Sequence, residues 1–175
     1  MHTHNPFPEF PADDYSFTPW VDAKNLVGGR WVDAVDNHGT LDVVNPRHGR
    51  ASSKVTLSGA ADVQAAVDAA MVNLAEWKSR PVRERAAVMF RLRELMRRDI
   101  VQLSWLVSHE NGKTYPEALA EVEKGIECVE FGCSLPNLAA GTQLDVSRGV
   151  NCQLDYAALG IVAGVTPFNF PSMVP

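Results

Sequence analysis

The sequence predicts an α/β fold, and three patterns along the chain indicate it. Short extended runs separated by turn residues occupy positions 25–57. Stretches in which apolar residues recur at helical spacing follow, from residue 63 to residue 133. Residues 159–165 are then apolar at almost every position, without alternation. A strand that is buried on both faces of a parallel sheet has this last pattern.

The overall composition is that of an ordinary globular protein. Of the 175 residues, 46% are hydrophobic and 21% are charged, and the net charge is −5. This mild acidity argues against a nucleic-acid partner, which would need a basic face. No apolar stretch approaches the roughly 20 residues of a membrane helix. The odd number of cysteines, without disulfide-like spacing, favours reduced thiols and a cytoplasmic location. No set of metal ligands is indicated.

The chain divides into an irregular N-terminal arm and one folded unit. Residues 1–20 contain four prolines and no periodic apolar pattern, so we expect an arm without regular structure. Residues 21–175 form the folded unit, which begins with a small β unit. In it, residues 25–32 form a strand broken by a glycine turn, residues 40–46 form its partner, and residues 53–57 are a third extended piece.

Four helices are predicted from their apolar periodicity and from residues that favour helix starts. Ser58 is a suitable N-cap for the first helix. Ser79 can cap the second, with Pro81 in its first turn. The four apolar stripes consist of Val63, Val67, Ala70, Met71 and Leu74; Val82, Ala86, Met89, Leu92 and Met96; Ile100, Leu103, Leu106 and Val107; and Val122, Ile126, Val129 and Cys133.

The segment Asn111-Gly112-Lys113-Thr114 separates the third helix from the fourth. It contains a Gly-Lys-Thr string, but a phosphate-binding P-loop needs a further glycine where Val107 stands, and a strand rather than a helix in front. Asn-Gly is a natural helix stop. Thr114 and Glu117 then have the spacing of a capping box. The segment is therefore predicted to stop one helix and start the next.

The last third of the chain is predicted to be extended. Residues 146–150 and 151–156 form two extended runs joined near Arg148-Gly149. The buried strand at residues 159–165 follows, but the predicted helices outnumber what one strand can cover. We therefore expect the rest of the parallel sheet to lie beyond Pro175, and we interpret the chain as the front part of a longer protein.

A turn bounded by prolines follows the apolar run directly. Pro167 and Pro171 fix two φ angles around Asn169, and Phe168 and Phe170 can anchor the turn in apolar surroundings. An amide donor at the carboxyl end of a parallel strand lies where α/β proteins bind ligands, and it could stabilise an oxyanion. An Asn that bonds its own backbone within the turn fits the same residues. The residues alone leave both roles open.

Several segments resemble the aldehyde dehydrogenase superfamily, and the resemblance runs from about Asn25 to Pro175. The most specific segment is Gly164-Val165-Thr166-Pro167-Phe168-Asn169-Phe170-Pro171. Phe168, where many members have Trp, resembles the methylmalonate-semialdehyde dehydrogenase branch, as does the helix sequence from Glu117 to Phe131. The other resembling segments are residues 27–32, Val44-Asn45-Pro46, Asp62-Val63 with residues 66–70, and residues 110–114.

The resemblance implies an NAD-dependent oxidation of an aldehyde. In the family a cysteine thiolate attacks the aldehyde, the Asn of this turn holds the oxyanion, and hydride transfer to NAD leaves a thioester. Asn169 would be that oxyanion donor, and Thr166, Pro167 and Phe168 would contact NAD beside its nicotinamide end. In this branch coenzyme A then takes the acyl group of malonate or methylmalonate semialdehyde, with loss of carbon dioxide.

The resemblance also implies an architecture and a specificity residue. The chain would be the N-terminal part of a Rossmann-type NAD domain with a helical run and a small β unit. An oligomerisation ribbon would begin near residues 145–157, and the complete protein would be a homodimer or homotetramer. In this branch an Arg grips the substrate carboxylate, and the aligned residue is Lys124. Because Lys offers a point charge and no bidentate fork, Lys124 could pair with a carboxylate or be solvated.

In family members the catalytic Cys, the general-base Glu and the Gly-rich phosphate turn lie downstream of the resembling part. Cys128 and Cys133 lie within a predicted helix and Cys152 within a ribbon, so none is the preferred nucleophile. The chain alone is therefore expected to be inactive. Two alternatives stay open: a non-acylating aldehyde dehydrogenase of another branch, and a non-catalytic, truncated subunit that pairs with intact ones.

Overall fold

The structure is a computed structural model that describes residues 22–175. The predicted arm at residues 1–20 lies outside the described residues. Both helices and strands are present, as the α/β prediction requires. In chain order the elements are β1 (Asn25–Val27), β2 (Arg30–Val32), β3 (Asn37–Asn45), β4 (Arg50–Ser58), α1 (Ala60–Ser79), α2 (Val82–Arg98), α3 (Ile100–Asn111), α4 (Tyr115–Cys133), α5 (Leu135–Leu138), β5 (Thr142–Ser147) and β6 (Val150–Leu154).

The β unit consists of two separate antiparallel hairpins. β1 pairs with β2 across Gly28 and Gly29, whose positive φ angles of 57° and 77° suit a tight two-glycine turn. β3 pairs with β4 across a short turn. The predicted pairing of residues 40–46 with residues 25–32 is therefore wrong. In each hairpin the first strand pairs with the next strand in sequence across a short turn, so residues 40–46 pair with the third extended piece, residues 53–57, instead.

The four predicted helices are confirmed as α1 to α4, but the predicted caps of the first two are wrong. Ser58 pairs within its hairpin as the last residue of β4, and Gly59 is the N-cap of α1. The N–H of Gly59 donates to Asp62 Oδ2 at 3.1 Å. Ser79 ends α1, and the N-cap of α2 is Pro81. The helix starts shift because sheet pairing keeps Ser58 extended and because α1 continues to Ser79.

α4 is the central helix of the described core. Its apolar residues Ala118, Val122 and Ile126 are almost fully buried against α3. Burying a side chain such as Val122 or Ile126 contributes about 1.5–3 kcal/mol. α2 is also cross-linked to α4, because Arg93 and Arg97 donate to Glu130 Oε1 at 2.8 and 3.1 Å. Contacts with two helices hold α4 in place as a support for the loop that packs on it.

The last part of the chain differs most from the prediction. β5 and β6 form the expected ribbon, which turns at Arg148-Gly149. Residues 159–165 form no strand and are exposed, with Leu159 96% and Val165 100% accessible. The predicted buried strand is therefore wrong for this chain. A strand needs neighbours for its N–H and C=O groups, and the three sheets of residues 22–175 are two-stranded hairpins, none of which pairs with residues 159–165.

Candidate active site

The loop that contains Asn169 lies against the C-terminal end of α3 and one face of α4. Asn111 Nδ2 donates a hydrogen bond to the carbonyl oxygen of Phe168 at 2.9 Å. Lys113 Nζ donates to the carbonyl oxygen of Asn169 at 2.6 Å. On the far side of the turn, the backbone N–H groups of Ser172 and Met173 donate to Glu121 Oε1 at 2.8 and 3.3 Å. The loop is thus fastened on both sides of Asn169.

Local sequence explains why Lys113 is available for this contact. α3 ends at Gly112, which adopts the left-handed conformation with φ of 82°. α4 restarts at the predicted capping box, in which Glu117 Oε2 accepts from Thr114 N–H at 3.0 Å. Between the two, the carbonyl oxygen of Lys113 accepts from Arg47 Nη2 at 2.8 Å and from Ser108 Oγ at 2.7 Å. These hydrogen bonds fix the backbone of Lys113, and its side chain extends from there to the loop.

Glu121 is a buried carboxylate with a complete set of partners. Its side chain is only 2% exposed, and Oε2 forms a short ion pair with Lys113 Nζ. Burial alone would raise the pKa of Glu121, but hydrogen bonds from Lys113, Ser172 and Met173 outweigh it and lower the pKa. The same ammonium lies 4.5 Å from the centroid of the Phe170 ring, a cation–π contact.

Asn169 is exposed, and its backbone carbonyl and side-chain amide differ in their hydrogen bonds. The backbone carbonyl accepts from Lys113, whereas the side-chain amide forms no hydrogen bond with any residue in the range 22–175. The amide is therefore not consumed in a bond to its own backbone, the alternative role that the residues left open. It is free to donate to a ligand, and its role in oxyanion stabilisation stays a prediction.

The three residues expected to contact NAD precede Asn169 directly. Thr166, Pro167 and Phe168 are all exposed, and Phe168 is 89% accessible. A hydroxyl donor and an accessible aromatic ring on one short segment fit a cofactor that carries both polar ribose groups and a flat ring. These residues fit NAD chemically, and the contacts themselves stay a prediction.

A cleft of about 390 Å³ lies between α4 and the loop. Lys124, expected at the substrate carboxylate, lies on its wall. Its ammonium donates to Glu127 Oε2 at 2.7 Å, and this bond raises the pKa of Lys124. Both side chains are more than half exposed, so this ion pair is weak and another anion could replace Glu127 as the partner of Lys124. The lining residues are Lys113, Glu117, Ala120, Glu121, Lys124, Phe170 and Met173.

The three cysteines form no disulfide in the described part of the chain. Cys133 is buried, Cys128 and Cys152 are exposed, and all three are free thiols. Residues 22–175 contain no cluster of His, Cys, Asp and Glu side chains that could hold a metal ion. None of the helices in this range is long and apolar enough to cross a membrane.

Comparison with known proteins decides the family. The model of the aldehyde dehydrogenase family matches residues 31–175, most of the chain. The chain belongs to this family. "Malonate-semialdehyde dehydrogenase 2" of Geobacillus thermodenitrificans is 43% identical over 153 residues, which are 87% of this chain and 32% of that protein. "Malonate-semialdehyde dehydrogenase 1" of Geobacillus kaustophilus is 44% identical, with 87% and 31% covered.

Solved structures of aldehyde dehydrogenases share the fold. A methylmalonate-semialdehyde dehydrogenase from Oceanimonas doudoroffii superposes with a TM-score of 0.83 at 34% identity, over 89% of this chain and 32% of that one. A candidate methylmalonate-semialdehyde dehydrogenase from Sinorhizobium meliloti, complexed with NAD, gives 0.81 at 29% identity over 86% and 30%. The predicted aldehyde-dehydrogenase-like α/β fold is confirmed. The chain spans about a third of the length of these relatives.

Sequence reasoning missed Asn111, Lys113 and Glu121 as parts of this site. It interpreted Asn111-Gly112-Lys113-Thr114 as a helix boundary and as part of a segment that resembles the family, but it assigned these residues no contact with the loop. One signal was present for Glu121. It stands on the same helical face as Ala118, Val122 and Gly125, all of which are buried. A charged residue on an apolar stripe needs a buried partner, and here that partner is Lys113.

Proposed function

We propose that this chain is part of an NAD-dependent, CoA-acylating dehydrogenase of malonate or methylmalonate semialdehyde, and that Asn169 is its oxyanion donor. The observation that carries the proposal is the Asn169 loop. In a chain of the aldehyde dehydrogenase family, an exposed amide stands between two prolines while hydrogen bonds hold the backbone on both sides of it. The names of two relatives at 43 and 44% identity support the substrate class.

Asn169 would act on charge that develops during the reaction. When a nucleophile attacks the aldehyde, the carbonyl oxygen becomes an oxyanion, and a donor already in place stabilises it without reorganisation. One such donor typically contributes about 2.7–4 kcal/mol to the barrier. Because Lys113 holds the backbone carbonyl of Asn169, only the side-chain torsions of the amide would remain to be ordered when the substrate binds.

NAD would be held beside this loop by Thr166, Pro167 and Phe168, and it would accept the hydride of the aldehyde carbon. Thr166 offers a hydroxyl donor, and the exposed Phe168 ring offers a surface that a flat group can cover. Both side chains are next to Asn169 in sequence, so the cofactor and the oxyanion donor would share one rigid segment. The NAD complex of the Sinorhizobium meliloti structure supports this choice of cofactor.

Lys124 would hold the carboxylate of the semialdehyde at the wall of the cleft. Its ammonium already holds one carboxylate, that of Glu127, at 2.7 Å. A substrate carboxylate would replace Glu127 as the partner. Since Lys is a point charge, it would tolerate more than one orientation of the carboxylate, and malonate and methylmalonate semialdehyde would both fit.

The rest of the proposal concerns the complete protein. The nucleophile would be a cysteine outside residues 1–175 that forms a thioester, and coenzyme A would remove the acyl group with loss of carbon dioxide. The 175-residue chain alone would then be inactive. The complete protein would be cytoplasmic. It would form a homodimer or homotetramer, since every residue of the β5–β6 ribbon is exposed and available for a contact between subunits.

The test is an assay of the complete gene product with NAD and malonate semialdehyde, with and without coenzyme A. The proposal predicts NADH formation that depends on coenzyme A, together with acyl-CoA and carbon dioxide in equal amounts. A free acid as product, formed equally well without coenzyme A, would indicate a non-acylating aldehyde dehydrogenase. No aldehyde-dependent NADH from the folded protein would overturn the assignment of activity.

A further inference from the structure

A pair of linked charges, Lys113 just before α4 and Glu121 within it, contacts Asn169 and the residues that follow it in the loop. Lys113 Nζ donates to the carbonyl oxygen of Asn169 itself, at 2.6 Å. Glu121 accepts the N–H groups of Ser172 and Met173, three and four residues further on. We propose that Lys113 and Glu121 are positioning residues that set the direction of the Asn169 amide. This inference rests on the proposed function, because the direction of the amide affects the reaction only if Asn169 is the oxyanion donor.

The two contacts act together because the pair is one unit. Glu121 Oε2 binds Lys113 while Oε1 binds the backbone of the loop, so the carboxylate bridges the ammonium and the turn. Loss of either charge would leave the other without its charged partner, and the Glu121 side chain is almost fully buried whereas that of Lys113 is partly buried (2% and 21% exposed). A unit of this kind permits one arrangement of the turn and disfavours its alternatives.

The packing beneath the turn agrees with this role. Gly125 lies one helical turn after Glu121 on the same buried face of α4. A Cβ atom built on Gly125 would lie 3.5 Å from the carbonyl oxygen of Ser172 and 3.6 Å from Met173 Cα. The backbone of the turn therefore rests directly on the helix, and the charge pair fixes its register along α4.

Asn111 adds a third, uncharged contact at the start of the turn. Its side-chain amide donates to the carbonyl oxygen of Phe168 at 2.9 Å. The segment Asn111-Gly112-Lys113 thus places two donors on two consecutive carbonyl oxygens of the loop. This arrangement gives the segment a task beyond ending one helix and starting another.

The first test measures the turn itself and needs no activity. In the complete gene product, Lys113→Met should accelerate amide hydrogen exchange across residues 168–173 by about tenfold or more, as loss of a charge-assisted hydrogen bond predicts. The matched controls are Lys78→Met in the last turn of α1 and Glu123→Gln on the exposed face of α4. Both controls should exchange like the wild type.

If Lys113→Met does not fold because it leaves Glu121 unpaired, the neutral double variant Lys113→Met/Glu121→Gln replaces it. That variant contains no buried unpaired charge, so the same acceleration is expected from a folded protein. Exchange across residues 168–173 at the wild-type rate, in whichever of the two variants folds, would overturn the positioning role.

The second test is a double-mutant cycle with Asn169→Ala. Lys113→Met should lower kcat by up to about 100-fold, because a misplacement of about 1 Å costs that much. In the Asn169→Ala background the same change should lower kcat by less than about twofold, since the group that it positions is already gone. A purely structural Lys113 would lower kcat equally in both backgrounds, and that result would overturn the inference.

The KM for NAD should stay unchanged in Lys113→Met, because the backbone of Thr166 and Pro167 lies outside the contacts that are lost. The two tests separate the inference from the proposed function. A wild-type protein without aldehyde-dependent NADH formation would overturn the proposed function only, and the exchange result would still decide whether Lys113 and Glu121 hold the turn.

Discussion

A carboxylate that is almost fully buried stays charged only if other groups replace its water, and Glu121 has such groups. One oxygen meets the Lys113 ammonium and the other meets two backbone N–H groups. These bonds lower the pKa of Glu121 although burial opposes them. The charged form is therefore more favoured in the folded protein than in the unfolded chain.

This pKa difference predicts a pH dependence of stability. A carboxyl group whose pKa is lowered on folding contributes stability above its ordinary value of 4.5, and that contribution is lost as the pH falls below it toward the folded value. As the pH is lowered, the free energy of unfolding should thus decrease more steeply for the wild type than for Glu121→Gln. Denaturant titrations of both proteins between pH 6 and the acid limit of folding check this, and parallel curves would contradict it.

Lys124 gives a prediction about substrate selection. If its ammonium binds the substrate carboxylate, Lys124→Met should raise the KM for malonate semialdehyde by about tenfold, equivalent to about 1.4 kcal/mol. An aldehyde of similar length without a carboxylate is the matched control, and its KM should not change. Steady-state kinetics of the complete protein decide the point, and an equal rise for both aldehydes would remove Lys124 from substrate recognition.

At the scale of elements, the boundary between α3 and α4 depends on one glycine. Gly112 has φ of 82°, and a Cβ atom there would lie 2.6 Å from Pro46 Cγ. Both the left-handed conformation and the close contact with the β3–β4 turn exclude a larger residue. The position of Lys113 follows from this turn, so the helix boundary and the candidate site are linked.

Two glycine substitutions separate the effects of conformation and contact. Gly49→Ala changes a residue with φ of 71° that has no atom within 4 Å of the added Cβ, so it should cost about 1–2 kcal/mol of stability. Gly112→Ala should cost about 1–3 kcal/mol more, because its Cβ also overlaps Pro46. Urea unfolding measures both, and equal losses would show that Pro46 moves aside without cost.

Local signals in the sequence were sufficient for the helices but not for strand pairing. The Thr114–Glu117 capping box and the stop at Gly112 are formed as predicted, because each depends on residues that are close in sequence. The pairing of residues 40–46 depends on which turn closes first, and the prediction was wrong there. Residues 159–165 were also predicted incorrectly, since apolar composition marks a strand suited to burial but does not provide neighbouring strands.

The same distinction applies to the candidate site. A role for Asn169 could be proposed from the sequence because the flanking prolines and the segment that resembles a family motif lie within a few residues of it. Roles for Lys113 and Glu121 could not, because their bonds to the loop span 56 and 51 residues. The sequence proposes a residue for the chemistry, whereas only the folded chain shows which residues contact the backbone around it.

At the scale of the whole molecule, the exposed apolar segment 159–165 dominates the expected behaviour of the isolated chain. Such a segment offers unpaired backbone groups and apolar side chains to other copies. The 175-residue chain should therefore aggregate, and Val162→Lys should reduce aggregation. Val72→Lys on α1 is the matched control, since Val72 and Val162 are 81% and 77% exposed. Light scattering checks both, and a cooperative, monomeric melt of the unmodified chain would contradict this prediction.

The most direct test of the account is the rate of NADH formation in a single turnover, measured for the wild-type complete protein and for Asn169→Ala. If the Asn169 amide stabilises the oxyanion, the variant should form NADH about 10² to 10³ times more slowly. Its affinity for NAD should be little changed, because Thr166, Pro167 and Phe168 are retained. A rate close to that of the wild type would show that the amide does not meet the reacting carbonyl.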